Sequence, residues 1–458
     1  MKANSSEPST QRNKSSHLSR AAALAILGLA AAQADAAITN MTYKVEVGVK
    51  ETYDSNVYLQ DNAPNPANVA AARAAGFNPV SANKSSMVTS ILPKAGFDYK
   101  PSAALNLSAA YAPEIVYYHS ASSEDYTTHR GLLNLGGTVE KTSWELLNTA
   151  TYIDGSKEGP TFARPDDIPA IGGIPLRDRR AAFIFRNSFR LTQQAENWFF
   201  RPVATTYFQD FKTHQLFVPP AIRSTEYTYE NYIDRQDING GLDVGYEAVR
   251  QTYLVIGFRY GRQDQFNAPS TTTGVMTNSH FGNNYERILA GVEGSPANWL
   301  KLAVLAGPDF RQFDSGTPAG FDRDMVLVYW DGSITALPTG DDTVTLKSTR
   351  FEQPAFSSFS MYQDIKTDLS WRHKFNNQFS AQIGFTLYIG DWQKPVNRDD
   401  WIYTPNISMA YAITKHLGAE ASYSYDWVDS KVSASVEPLT NSHEFTRHLA
   451  SLAIKYTF

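Results

Sequence analysis

The chain has 458 residues, a formal net charge of −5, 42% apolar and 13% aromatic residues, and no cysteine. This mildly acidic balance excludes a general nucleic-acid binder, and the lack of thiols excludes a disulfide framework and a thiolate metal site. A mean hydropathy of −0.36, with no apolar run long enough to span a bilayer, excludes a helical membrane protein.

At the N-terminus Lys2, Arg12, Lys14 and Arg20 precede an alanine-rich apolar run over residues 21–32, and Ala34-Asp35-Ala36 follows. That is the layout of a secretory signal peptide, with cleavage expected after Ala36. Residues 1–36 are expected to be removed, and 37–458 to form the mature domain. The loss takes four basic and two acidic residues, which moves the net charge from −5 to about −7.

From Tyr43 onward the dominant signal is a period of two, as in Tyr43-Lys-Val-Glu-Val-Gly-Val-Lys50 and again from Met87 to Tyr99. Lys100-Pro101-Ser102 turns the chain, and Leu105, Leu107, Ala109, Tyr111, Ile115 and Tyr117 continue in phase, which makes a hairpin with one apolar face. The same unit recurs to the end. It predicts eighteen strands over 43–58, 85–100, 103–118, 128–141, 143–154, 179–192, 198–212, 231–247, 250–265, 282–294, 299–313, 322–336, 341–353, 361–374, 378–391, 399–413, 416–430 and 443–458.

Connections alternate in length, short at 141–142, 247–249, 374–377 and 414–415 and long at 59–84, 155–178, 213–230 and 266–281. A transmembrane barrel has this asymmetry, and an even strand number returns the chain to its starting side. The fold class expected is therefore all-β: one transmembrane antiparallel up-and-down β-barrel of about eighteen strands. Pro93, Pro113, Pro202, Pro308 and Pro405 fall inside these strands, where each removes a ladder donor, so bulges or interruptions are expected there. Residues 213–235 have little periodicity. In the loop 60–85, Asn65-Pro66 and Gly76 bracket an expected short helix, either a constriction over the lumen or a surface ornament.

The phase of each strand separates two faces. One is apolar, for example Phe183, Phe185 and Phe189, or Leu300, Leu302 and Val304, with aromatics such as Trp144, Trp198, Tyr246, Trp371 and Tyr456 near the short turns and Tyr117, Tyr152, Tyr260, Phe310 and Trp427 near the long loops. Two aromatic girdles and a lipid-facing belt are the reading. The opposite phase carries charge of both signs, which lipid would not tolerate, so it should line water. The candidate pore-lining residues are Arg180, Arg186, Arg190, Arg201, Asp237, Arg259, Arg287, Lys301, Arg311 and Arg372. Sixteen to eighteen strands enclose an aqueous channel, so size points to passage. Asp237 and Arg259 are expected to face each other if the turn between their strands centres on Ala248, and Arg186, Arg190 and Arg201 are expected to make a locally positive rim beside the turn 192–197.

The chain holds no useful phosphate loop and no pair of histidines at metal spacing, and Asp166-Asp167, Asp341-Asp342 and Asp399-Asp400 sit in or beside connections where acidic pairs are usually solvated. No catalytic, metal or cofactor residues are assigned, and an enzyme is not expected.

The last strand alternates Ala450, Leu452, Ile454, Tyr456 and a terminal Phe458. That end resembles the C-terminal signature that the outer-membrane barrel-assembly machinery reads, which implies the outer membrane of a Gram-negative bacterium and its lipid bilayer as surroundings. The stretch Gly48-Val-Lys-Glu-Thr-Tyr-Asp-Ser-Asn-Val-Tyr-Leu59, followed by Ser86 to Tyr99 and by Leu105 to Tyr111, resembles the beta-barrel porin 2 family. The resemblance covers the first seventy or so mature residues, and Tyr53-Asp54-Ser55-Asn56-Val57-Tyr58 is its specific part. It implies an exopolysaccharide-export pore with polysaccharide and periplasmic export proteins as partners. A general diffusion porin and a non-conducting structural or interaction barrel are the alternatives.

Overall fold

The computed structural model describes residues 40–59, 62–63, 66, 84–154, 181–211, 234–266, 268–269, 276–277, 281–317, 321–354, 361–393, 398–432 and 444–458. The alternating stretches form β1 (Met41–Asp54), β2 (Ser86–Ser102), β3 (Leu105–Tyr111), β4 (Glu114–Tyr118), β5 (Tyr126–Val139), β6 (Thr142–Asp154) and β7 (Ala181–Ala195). Then come β8 (Trp198–Phe211), β9 (Asp234–Val249), β10 (Thr252–Phe266), the two-residue β11 (Ala268–Pro269) and β12 (Met276–Thr277), β13 (Asn283–Ala297) and β14 (Leu300–Phe313). The chain finishes with β15 (Asp324–Ala336), β16 (Asp342–Pro354), β17 (Met361–Lys374), β18 (Phe379–Trp392), β19 (Arg398–Ala412), β20 (Leu417–Val432) and β21 (Thr446–Thr457).

Every rung is antiparallel, and β11 and β12 pair only with each other. β3 and β4 share one position between β2 and β5, so the wall has eighteen strands. β1 pairs with β2 on one side and with β21 on the other, which closes the sheet. A polar clasp accompanies that closure: Arg447 donates from Nε and Nη2 to the two Asp54 carboxylate oxygens at 2.9 and 2.6 Å, and Thr52 and Ser451 join hydroxyls at 2.9 Å. Full closure leaves no sheet edge along β1 and β21.

The signal-peptide segment 1–36, and the helix expected over 65–76 except for Pro66, lie outside the described residues. Among those residues the helical turn Ser122–Glu124 is three residues long, and no helix is long and apolar enough to cross a membrane.

The prolines leave a visible trace. Pro93 and Pro113 lie in one gap, where the β2–β3 ladder stops at Ala95–Tyr111 and the β2–β4 ladder resumes at Ile91–Ile115. Rungs are likewise missing at Pro202 between β7 and β8, at Pro308 between β13 and β14, and at Pro405 between β19 and β20. On its other side each of these three keeps its partner: Leu242, Val328 and Phe385. A residue without an N–H forfeits rungs toward one neighbour and leaves the other intact, which is how the expected interruptions are accommodated.

Tight turns at 140–141, 196–197 and 250–251 hold one end, and three of their residues, Glu140, Glu196 and Gln251, take φ of 52°, 53° and 59°. Hairpins of this size need left-handed backbone to match strand twist, and here non-glycine residues supply it. Outward-phase side chains are apolar and open, with Ile256 68% and Leu452 59% exposed. Trp198 and Tyr246 pack at 4.8 Å near the short turns, and Tyr403 and Trp427 at 5.2 Å toward the other end. An apolar belt with aromatic margins around a closed barrel is a lipid-facing surface.

Candidate functional site

The inward phase is built on a simple local rule, in which a glycine on one strand lets an aromatic from the next lie flat on the wall. A Cβ at Gly245 would stand 2.1 Å from the Phe199 ring, and one at Gly261 would stand 2.3 Å from the Tyr285 ring. Guanidinium groups then cover these rings: Arg201 lies 4.6 Å over Phe199, and Arg287 sits 4.2 Å from both Tyr285 and Tyr329.

Two ionic ladders run across this face. In the first, Arg201 donates to Asp243 at 3.0 Å and, through both terminal nitrogens, to Glu293 at 2.7 and 2.7 Å, while Asp243 also accepts from Arg259 at 2.6 Å. β8 and β13 are not neighbours, so the Arg201–Glu293 fork can form only on the concave side of the wall. In the second, Asp309 lies between Arg287 at 3.1 Å and Arg311 at 2.9 Å, Arg311 donates to Gln263 at 2.7 Å, and Asp237 accepts from Tyr285 and Gln263, both at 2.7 Å. In the first ladder Arg201 and Asp243 each keep several hydrogen bonds, which is what offsets the desolvation of a buried pair, whereas in the second Arg287 Nε and Asp309 Oδ1 are buried without a hydrogen-bond partner.

The expected pore-lining residues therefore divide. Arg201, Asp237, Arg259, Arg287 and Arg311 are committed to the ladders. Arg186 and Arg190 are open on the inward side, Arg186 lying 5.1 Å from the Tyr207 ring and Arg190 directly across the β6–β7 ladder from Glu145. Lys301 and Arg372 are exposed in the same phase, Arg372 at 3.4 Å from Ser380, and Arg180 lies outside the described residues.

Two expectations are corrected. The β9–β10 turn centres on Arg250-Gln251, not Ala248, so Asp237 faces Gln263 and Arg259 faces Gly241. The partner of Arg259 is Asp243. The positive rim at Arg186, Arg190 and Arg201 is also weakened, because Asp243 and Glu293 neutralise Arg201.

Free positive charge collects on the opposite wall instead. A cavity of about 750 Å³ at the short-turn end is lined by six basic residues, Lys50, Lys94, Arg130, Arg372, Lys374 and Lys455, against three acidic ones, Glu46, Glu114 and Glu420. Glu46 is shared by Lys44 and Lys455 at 3.0 Å each, and Glu114 lies 3.8 Å from Arg130. Lys50, Lys94 and Lys374 form no ion pair among the described residues. Sequence reasoning missed these lysines and Glu293, although the phase that marks Arg287 also marks Glu293 six residues on. Among the described residues no cluster of ligands could hold a metal ion, and Asp342 is engaged by Thr339 at 2.6 Å, Trp371 at 2.8 Å and His373 at 2.9 Å.

No family model and no curated protein matches this chain. Solved barrels share its outline at very low identity. The copper transporter OprC is 8% identical, with 92% of this chain and 80% of that chain covered and a TM-score of 0.45. The siderophore receptor PiuA from Acinetobacter baumannii is 9% identical over 91% and 82%, with a TM-score of 0.45. The outer membrane protein OpdK from Pseudomonas aeruginosa is 9% identical over 91% and 99%, with a TM-score of 0.39. Values this low bear on no function.

Proposed function

We propose that this chain is an outer-membrane pore for polar solutes, with a preference for anions and acidic polysaccharide as its cargo. The observation that carries the reading is the excess of basic over acidic side chains around the 750 Å³ cavity inside a closed barrel, within a chain whose net charge is −5. Such a field raises the local concentration of anions and slows cations. Export of an exopolysaccharide follows from the family resemblance at residues 48–59. Open lysines suit a moving polyanion better than guanidinium groups already bound to carboxylates do, because each contact is weak, screened and readily exchanged.

The test is ion current through the purified protein in a planar bilayer under a salt gradient, with oligogalacturonate and neutral maltooligosaccharide added in turn. Current with an anion-selective reversal potential, blocked at lower concentration by the acidic oligomer, is the expected result. Equal block by both sugars leaves a general diffusion porin, and no current at all leaves a non-conducting barrel.

A further inference from the structure

The wall is not zipped along its full height. The β15–β16 ladder ends at Trp330–Arg350, yet β15 continues to Asp324 on β14 and β16 continues to Pro354 on β17. In the same register Val328 would face Glu352 and Val326 would face Pro354. Those rungs are not made.

The far end of the β16–β17 hairpin has instead turned into the lumen. Gln263 of β10 donates to the Glu352 carbonyl at 3.1 Å, and Tyr362 hydrogen-bonds Arg235 of β9. Met361 is fully buried in a cluster with Phe281 and Phe313.

The sequence contains the reason. Alternation from Val344 and Leu346 puts Glu352 in the lipid phase, so a zipped seam would hold its carboxylate in the apolar belt beside Val328. Turned inward, Glu352 is 2% exposed and neither carboxylate oxygen has a hydrogen-bond partner. The inward turn is therefore held by Gln263 and the Met361 cluster and not by hydrogen bonds to the Glu352 carboxylate.

The open seam lies at membrane depth. In the adjoining wall Phe258 faces Ile288 and Pro308 faces Val328, an apolar row, and one row further Tyr260 faces Glu286 and Phe310 faces Val326 at the belt margin. Unpaired backbone at this level cannot meet hydrocarbon, so the missing rungs call for water, which would join the lumen to the belt. At its apex a polar group stands in the lipid phase: the Arg350 guanidinium lies 5.3 Å over Trp330 and is hydrogen-bonded to Gln363, and Trp330 Nε1 donates to Ser348 at 2.8 Å.

We propose that the β15–β16 seam is a side window through which an amphiphile with an anionic head and an acyl tail moves between lumen and membrane, the head on Arg350 and the tail along Val326 and Val328. This goes beyond the axial pore and rests on that reading only in placing the barrel in a bilayer.

The chain has no cysteine, so paired cysteines can lock the seam. Val328→Cys with Glu352→Cys would bridge only when zipped, whereas Ile334→Cys with Leu346→Cys sits on an existing rung. Seam bridging roughly tenfold slower than the control is expected, because unzipped strands seldom bring the two sulfurs within reach. In proteoliposomes, transfer of a pyrene-labelled fatty acid should fall about fivefold on locking while ion current persists, and Arg350→Gln should slow the fatty acid but not the matching alcohol. Probe supplied from water and probe supplied in the leaflet are separate arms, and a loss in either supports the window and names its source. Bridging as fast as the control, or unchanged transfer in both arms after locking, overturns the proposal. Absent ion current in the unlocked protein would sink the pore reading alone, since bridging rates still report the seam.

Discussion

At the scale of single residues, each side chain answers to the face that its parity assigns. Leu302 and Lys301 are neighbours in β14, one outward and one exposed on the inward side. Leu302→Arg, close to the short-turn end of the belt, should therefore cost about 1–2 kcal/mol, while Lys301→Leu mainly alters selectivity. Heat-modifiable folded protein measures both, and equal yields would contradict the assigned faces. Gly261 makes a second case, because any Cβ there displaces the Tyr285 ring and with it the hydrogen bond to Asp237. Gly261→Val should lower stability by about 1–3 kcal/mol, read as a reduced urea midpoint, with Gly340→Val as a control at a site that is open around the Cβ position. Parity was legible in the sequence throughout this face, so Arg201, Arg287 and Arg311 could be named as inward residues. Their pairing was not legible, since the Arg201–Glu293 fork joins residues 92 apart on strands that do not touch in the ladder. Only the curvature of the closed wall brings them together.

At the scale of elements, the eighteen strands and their bounds follow from alternation to within a few residues, because a lipid-facing phase and a wet phase leave a sharp period-two record. Register is the weaker inference. A tight hairpin inherits its register from two turn residues, and the residues that adopt left-handed φ here, Glu140, Glu196 and Gln251, are neither glycine nor asparagine. Nothing in their composition announces it, so a turn centred on Ala248 looked as good as the real one two residues on. The slip moved Asp237 away from Arg259 while keeping both on the inward face. These backbones are strained, and Glu140→Gly should recover up to about 1 kcal/mol. The expected sign is a higher urea midpoint, and a fall would show that the lost side chain matters more than the relieved φ. The prolines teach the reverse lesson, since an apparent conflict with the strand pattern turned out to mark the places where rungs are missing.

At the scale of the whole molecule, selectivity is a property of the summed lining. Lys94→Glu together with Lys374→Glu should reverse the preferred ion, seen as a sign change in reversal potential, whereas Arg186→Ala with Arg190→Ala should shift it less because Glu145 faces Arg190. The charge balance was visible in composition, but its distribution was not, because it depends on which charges the ladders consume. The clasp between Asp54 and Arg447 acts in time as well as in space. Its partners are 393 residues apart, so while the strands between them are being laid down no intermediate possesses the seal, and every partial sheet carries two open edges. Closing so long a loop is an entropic cost met at the end, by the last strand finding the first. Asp54→Asn should accordingly retard the final step, leaving more of the slow-migrating unfolded band at early times of refolding into detergent or lipid. The step expected to be slowest in assembly is the meeting of the two ends of the chain.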